Sequence, residues 1–235
     1  MSSKAASKSP AARAAQAPKP LAVKKARAPR SAGRPRAEEV EARTTELLRT
    51  AGELFLEKGY GNVSLEMIAR AAQVATRTIY VKFGGKAGLI TALINGKREG
   101  YLSSMALVED PRPVCEALDD YAHKLHILLN LPEAMALHRM VISEAPANPE
   151  LAESFYKAGP GITMEALRRY LERPDVRAQL RSDLPFEQLP VFLTNCVIGD
   201  SLSRMLNRPR KDNTLQALDA RLAMFFRAVL RDPLP

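Results

Sequence analysis

From about Glu38 onward the chain places apolar side chains every three or four positions, and two-residue alternation is scarce. That period predicts helices and few strands. Val40, Leu47, Leu48, Ala51, Leu54 and Phe55 form the first stripe, with Arg43, Glu46, Arg49, Glu53 and Glu57 opposite. The helix they predict spans about Glu38–Lys58 and ends on Gly59, with Tyr60 placed to pack back on it. Leu65, Ile68, Ala69 and Ala72 make a second stripe behind Ser64, a preferred N-cap residue. The pattern halts at Gln73-Val74-Ala75 and resumes from Thr76 to Phe83, with Ile79 and Phe83 facing inward. Thr76, Arg77, Thr78, Tyr80, Val81 and Lys82 fall on the other faces. A helix, a tight turn and an outward-facing second helix present side chains to a DNA major groove.

Gly84-Gly85 breaks the pattern, and Lys86 opens a helix expected to reach about Ala106. After Asp110-Pro111-Arg112-Pro113, helices are expected over about 114–130 and, from Pro132 as first residue, to about Glu144. Another starts near Glu150, is disturbed at Gly159-Pro160-Gly161, and resumes through Leu171. Two more cover about 186–206 and 213–231. The last has Leu215, Leu218, Leu222, Phe225, Phe226, Val229 and Leu230 close to a heptad seam. The fold class is all-α, with about nine helices. These last two helices carry more large apolar residues than one contact face of a monomer needs, which points to self-association.

Charge changes the picture at the N-terminus. The net charge is +9, yet residues 1–37 hold ten Lys or Arg and no acid, and the other 198 residues hold 25 basic and 26 acidic side chains. Residues 1–32, rich in Ala, Ser, Lys and Pro, read as a disordered basic tail that suits a polyanion. Arg34 and Arg36, in Gly33-Arg34-Pro35-Arg36, suit an arm that enters the minor groove. The longest uncharged run, Gln188–Gly199, is too short to span a bilayer, and no signal peptide is read. Cys115 and Cys196 have no metal or redox spacing, in keeping with a reducing cytoplasm.

Residues 33–95 resemble the DNA-binding part of the TetR family of transcriptional regulators. Ile68-Ala69, Ala72-x-Val74, Thr78-Ile79-Tyr80-x-x-Phe83 and Lys86-x-x-Leu89 carry the resemblance. The family usually has Gly where Gln73 stands, commonly Ser or Thr at Ala75, and often Gly at Arg77. The resemblance implies a helix-turn-helix domain over 33–85 and a helical effector-binding and dimerisation domain over 86–235. It also implies a bacterial, cytoplasmic homodimer on double-stranded palindromic DNA, joined through the helices at about 186–206 and 213–231. Such a protein would repress transcription and release DNA when a small molecule binds.

The expected DNA contacts are Arg34, Arg36, Ser64, Thr76, Arg77, Thr78, Tyr80, Lys82 and Lys86. Arg77 is the candidate base reader, since Arg pairs bidentately with guanine. The resemblance implies that Tyr80 and Lys86 hold the DNA backbone. A pocket for a small apolar effector is expected among Met105, His126, Met140, Phe155, Met164, Asn195 and Cys196, residue types that also suit an ordinary core. Asp120, His123 and His126 stand at three-residue steps, but exposed helix positions explain them better than a metal. Gly84-Gly85-Lys86 lacks the rest of a phosphate loop, and no nucleophile or cofactor motif is present. Neither enzyme activity nor a cofactor is expected. The rival reading is an architectural DNA-coating protein led by the tail, without an effector.

Overall fold

The computed structural model describes residues 37–102, 107–200, 206 and 214–231. The expected basic tail, Arg34, Arg36 and Met105 lie outside the described residues. Eleven α-helical segments occur among those residues, with 3-10 turns at Leu107–Glu109 and Phe186–Gln188, and no strand beyond one isolated bridge, Leu180 to Leu230. No described helix is long and apolar enough to cross a membrane.

The first half follows the sequence pattern closely. Helix α1 is Ala37–Lys58, α2 is Leu65–Ala71 and α3 is Thr76–Phe83. Gly59 ends α1 in the left-handed region at φ 83°, its N–H bonded to the Phe55 carbonyl, and the Tyr60 ring packs 5.3 Å from that of Phe55. The Ser64 hydroxyl accepts the Met67 N–H at 3.2 Å, so α2 is capped as expected. Helix α4, Lys86–Leu102, follows Gly84 and Gly85, both at positive φ.

Helix α5 is Val114–Asn130, α6 is Pro132–Glu144, α7 is Pro149–Ala158 and α8 is Pro160–Leu171. The disturbance expected at Gly159 is a full break between α7 and α8. The four-residue α9, Pro174–Arg177, escaped the sequence reading because one turn shows no periodicity. Helix α10 is Leu189–Ile198, and α11 is Leu215–Val229, capped by the Thr214 hydroxyl on the Ala217 N–H. Of the helix expected over 186–206, the start is a 3-10 turn and α10 ends at Ile198, while 201–205 lie outside the described residues. Gly199 sits at φ 64°, and Arg221 Nε donates to the Cys196 carbonyl at 2.6 Å, which answers one of the carbonyls orphaned at a helix end.

Two cores result. One joins α1, α2, α3 and the start of α4 through Phe55, Tyr60, Ile68, Ile79, Leu89 and Ile90, and it also takes Met140 and Val141 of α6 and Leu151 of α7. The other packs α5, α8, α9, α10 and α11 around Leu118, Leu125, Leu167, Leu193, Leu222 and Phe225. The helices that support the turn-and-reading unit thus share a core with α6 and α7.

Candidate nucleic-acid interface and ligand cavity

Helix α3 is pinned by Ile79, wholly buried, and by half-buried Phe83. Burial of an Ile side chain stabilises by about 1.5–3 kcal/mol, enough to fix the helix's rotation. That rotation leaves Arg77, Thr78, Tyr80, Val81 and Lys82 exposed on one surface, with Thr76 partly so. Arg77 makes no hydrogen bond or ion pair among the described residues and is free to reach a base edge. Lys82 instead bonds the Thr44 hydroxyl on α1. Val81, 77% exposed, shares this surface and was not among the expected contacts. Its outward position on the reading helix was the available signal, and an apolar tip there suits a thymine methyl.

The turn has the shape its sequence strains against. Gln73 adopts φ 54°, a left-handed conformation that costs a non-glycine residue about 1–2 kcal/mol. Ala75 caps α3 with no side-chain hydrogen bond. The first amides of α3 therefore lack a hydroxyl partner, and a helix N-terminus of this kind favours an anion.

Lys86 is anchored by a partner the sequence did not reveal. It opens α4, but its Nζ donates to the Tyr60 carbonyl at 2.8 Å and lies 4.3 Å from the centre of the Tyr60 ring. The carbonyl and the ring face hold the ammonium together, leaving its other N–H groups for a phosphate. Tyr60 is also held from the other side. Its backbone N–H and that of Gly61 each donate to the Glu144 carboxylate at 2.6 Å, and Glu144 ends α6. Burial, and then the nearby Glu150 carboxylate, push the Tyr60 pKa up to about 12. The loop between α1 and α2 is thus bonded to α4 and α6 through Tyr60 and Gly61.

A cavity of about 820 Å³ opens between α1, α4, α5, α6, α7, α8 and α10. Its walls are mainly aliphatic and aromatic, with His138 packed edge-on against Phe155 at 4.9 Å. Of the expected effector residues, Phe155 and Met164 line it. Met140 packs in the first core, and His126 Nδ1 lies 3.1 Å from the Val197 carbonyl, buried between α5 and α10. Asn195 and Cys196 lie on α10 away from the wall, which that helix supplies through Thr194 and Ile198. The sequence missed Leu93, Ile94, Arg98, Leu125 and Leu137, because a cavity lining has the same composition as a core. His123, weighed with Asp120 and His126 for a metal, lies between the Asp119 carbonyl and the Asp219 carboxylate, both 2.8 Å away.

Residues 47–93 match the family described as bacterial regulatory proteins, tetR family. Residues 116–228 match the C-terminal domain of AefR-like transcriptional repressors. The chain belongs to the TetR family. It is a DNA-binding transcriptional regulator. The HTH-type transcriptional regulator Mb1581 of Mycobacterium bovis is 24% identical over 181 residues, covering 75% of this chain and 83% of that protein. Two solved structures are similar over nearly their whole length. The flavonoid-responsive regulator FrrA is 28% identical with a TM-score of 0.63, covering 81% of this chain and 98% of its own. NalD of Pseudomonas aeruginosa, the secondary repressor of the MexAB-OprM multidrug efflux pump, is 26% identical with a TM-score of 0.59, covering 83% and 99%.

Proposed function

We propose that this regulator is a repressor that binds a palindromic operator as a homodimer and leaves it when a small molecule occupies the cavity. The observation that carries the reading is the composition of the cavity wall. Gly52, Phe55 and Leu56 of α1 and Ile90, Leu93 and Ile94 of α4 form part of it, and α1 and α4 are the helices against which the reading unit packs. A ligand there favours one spacing of α4 over another, and only that differential affinity moves the equilibrium. The responsiveness of FrrA to flavonoids and the repressor role of NalD support the same reading. Action is by binding in the bacterial cytoplasm, not by catalysis.

Exposed apolar residues on α10 and α11 support the dimer. Val191 and Phe192 stand out from α10, and Met224, 64% exposed, and Leu215 stand out from α11. A second copy that covers them forms a two-fold interface and doubles the readout, with half-sites roughly 34–36 Å apart or a multiple of that spacing. The tail over 1–32, with Arg34 and Arg36, adds phosphate and minor-groove contacts. Ser64, Tyr80 and Lys86 hold the DNA backbone, Thr76, Thr78 and Lys82 contact bases or phosphates, and Arg77 reads a base.

The test is selection of binding sites from random duplex DNA at near-physiological salt, with wild type and Arg77→Ala in parallel. A two-fold symmetric site is expected, relaxed at one position per half-site in the variant by about 1–3 kcal/mol. No enriched sequence, together with loss of most binding when 1–32 is deleted, would replace this reading with tail-driven coating of DNA.

A further inference from the structure

One charged group on the cavity wall has a buried nitrogen without a hydrogen-bond partner among the described residues. Arg98, on α4, lines the cavity, and its Nε is closed off from solvent with no hydrogen-bond partner. The two carboxylates on the wall do not meet it. Glu53 is bonded to Arg49 at 2.5 Å, and Glu133 stands exposed in the first turn of α6. The other wall cations differ from Arg98, since Arg49 is paired and Lys97 is exposed. A guanidinium stays charged at any working pH, and a buried N–H without a partner is costly.

The wall near this cation also offers a hydroxyl. Thr163 is buried and lines the cavity, and its hydroxyl is near enough to the Tyr121 phenol to lower that group's pKa. Burial pushes the Tyr121 pKa up, and the positive charge of Arg98 pulls against it, so the three groups lie within electrostatic reach. The rest of the lining is apolar, as with Leu93, Leu125, Leu137 and Phe155. A lone cation beside a hydroxyl in an apolar chamber favours an occupant with an apolar body and one anionic head.

Resting on the reading of this cavity as the effector site, we propose that its ligand is an amphipathic carboxylate whose head pairs with Arg98 and whose body fills the apolar chamber. The planar guanidinium fork matches the two carboxylate oxygens. Neutral molecules of the same shape lack that pairing and leave the Nε unanswered. Straight-chain and aromatic acids share this chemistry, and the experiment separates them.

Full-length protein is titrated calorimetrically with decanoate and with 2-naphthoate, each beside its methyl ester. Wild type, Arg98→Gln and Arg98→Lys are compared. Hydrogen bonds to charged groups are worth about 10- to 100-fold in affinity. At least one acid is expected to bind wild type more than tenfold tighter than its ester, and that acid identifies the body. Arg98→Gln should abolish the difference while leaving ester affinity unchanged, and Arg98→Lys should keep part of it. If Arg98→Gln fails to fold, the acid-to-ester ratios of wild type and the lysine variant still decide. Equal affinity for acid and ester, or an equal loss of both in Arg98→Gln, overturns the proposal. The same probes are added to the operator complex. Acid binding that never releases DNA keeps the anion site and overturns the effector reading, whereas release by esters alone does the reverse.

Discussion

Replacing Glu144 with Ala removes both acceptors of the Tyr60 and Gly61 N–H groups, each held at 2.6 Å. The Tyr60 amide is partly buried and loses its acceptor, which costs about 1–2 kcal/mol, whereas the exposed Gly61 amide turns to water at little cost. The expected total is about 2 kcal/mol, or roughly 4–8 °C in Tm for a chain of this size. Glu144→Gln keeps one carbonyl acceptor, loses the charge, and should cost about half as much. Urea and thermal unfolding at one fixed protein concentration measure both, because a dimer's stability depends on concentration.

Gly59 supplies an internal control. A Cβ added there would stand 2.6 Å from Glu144 Oε1, at a φ of 83° that side chains avoid. Gly59→Ala therefore carries a clash and a backbone cost, and only the clash depends on Glu144. In the Glu144→Ala background the penalty should fall to the backbone cost of about 1–2 kcal/mol. Additive penalties, or a Glu144→Ala variant within about 0.5 kcal/mol of wild type, would refute the view that this carboxylate holds the loop.

Three further outcomes follow from single residues. A Cβ on Gly88 would lie 1.6 Å from the Phe83 carbonyl oxygen, so Gly88→Ala should force α3 from α4, cost about 3 kcal/mol or more, and abolish operator binding in a mobility-shift assay. Gln73→Gly relieves the left-handed strain and should raise stability by about 0.5–1 kcal/mol in urea unfolding, and a loss would show that the Gln73 side chain holds something in place. For His123, burial opposes the charge, but the Asp119 carbonyl and the Asp219 carboxylate outweigh it and hold the pKa above its ordinary value. Its stabilisation is therefore complete below the unfolded value of about 6.5 and fades as pH rises through the folded one. The part-exposed pair contributes about 0.5 kcal/mol, so His123→Gln should flatten unfolding free energy across that window, and an unchanged slope would refute the assignment.

Much of this was legible in the sequence where physics is local. The bounds of α3, α5 and α6, the Ser64 cap and the Gly59 end follow from periodicity and capping chemistry, which depend on residues three or four apart. The early stop of α10 was not legible, because Arg221 answers the Cys196 carbonyl from 25 residues away. Lys86 shows the same limit. Its place at a helix start was readable, but the Tyr60 carbonyl that claims it lies 26 residues back. The cavity was the least legible feature. Met164 and Phe155 line it while Met140, of the same chemical type, is core, and only packing separates them.

The same distant bonds give the regulator a physical route between its halves. An exposed reading helix needs a fixed base, and here the base is not confined to the first three helices. Tyr60 is bonded to Lys86 at the start of α4 and to Glu144 at the end of α6, and its phenol lies near Glu150 in α7. Those helices also enclose the cavity. A shift of α6 around a ligand would therefore be transmitted through hydrogen bonds of 2.6–2.8 Å rather than through a compliant apolar contact. Such bonds weaken steeply with misalignment, so the loop either follows the helices or lets go. Either response moves Lys86 and α4, and with them the packing of α3 through Gly88, which tolerates no side chain against Phe83. These short bonds thus lie between the helices that enclose the cavity and the base of α3, where a small displacement of α6 or α4 has a direct effect.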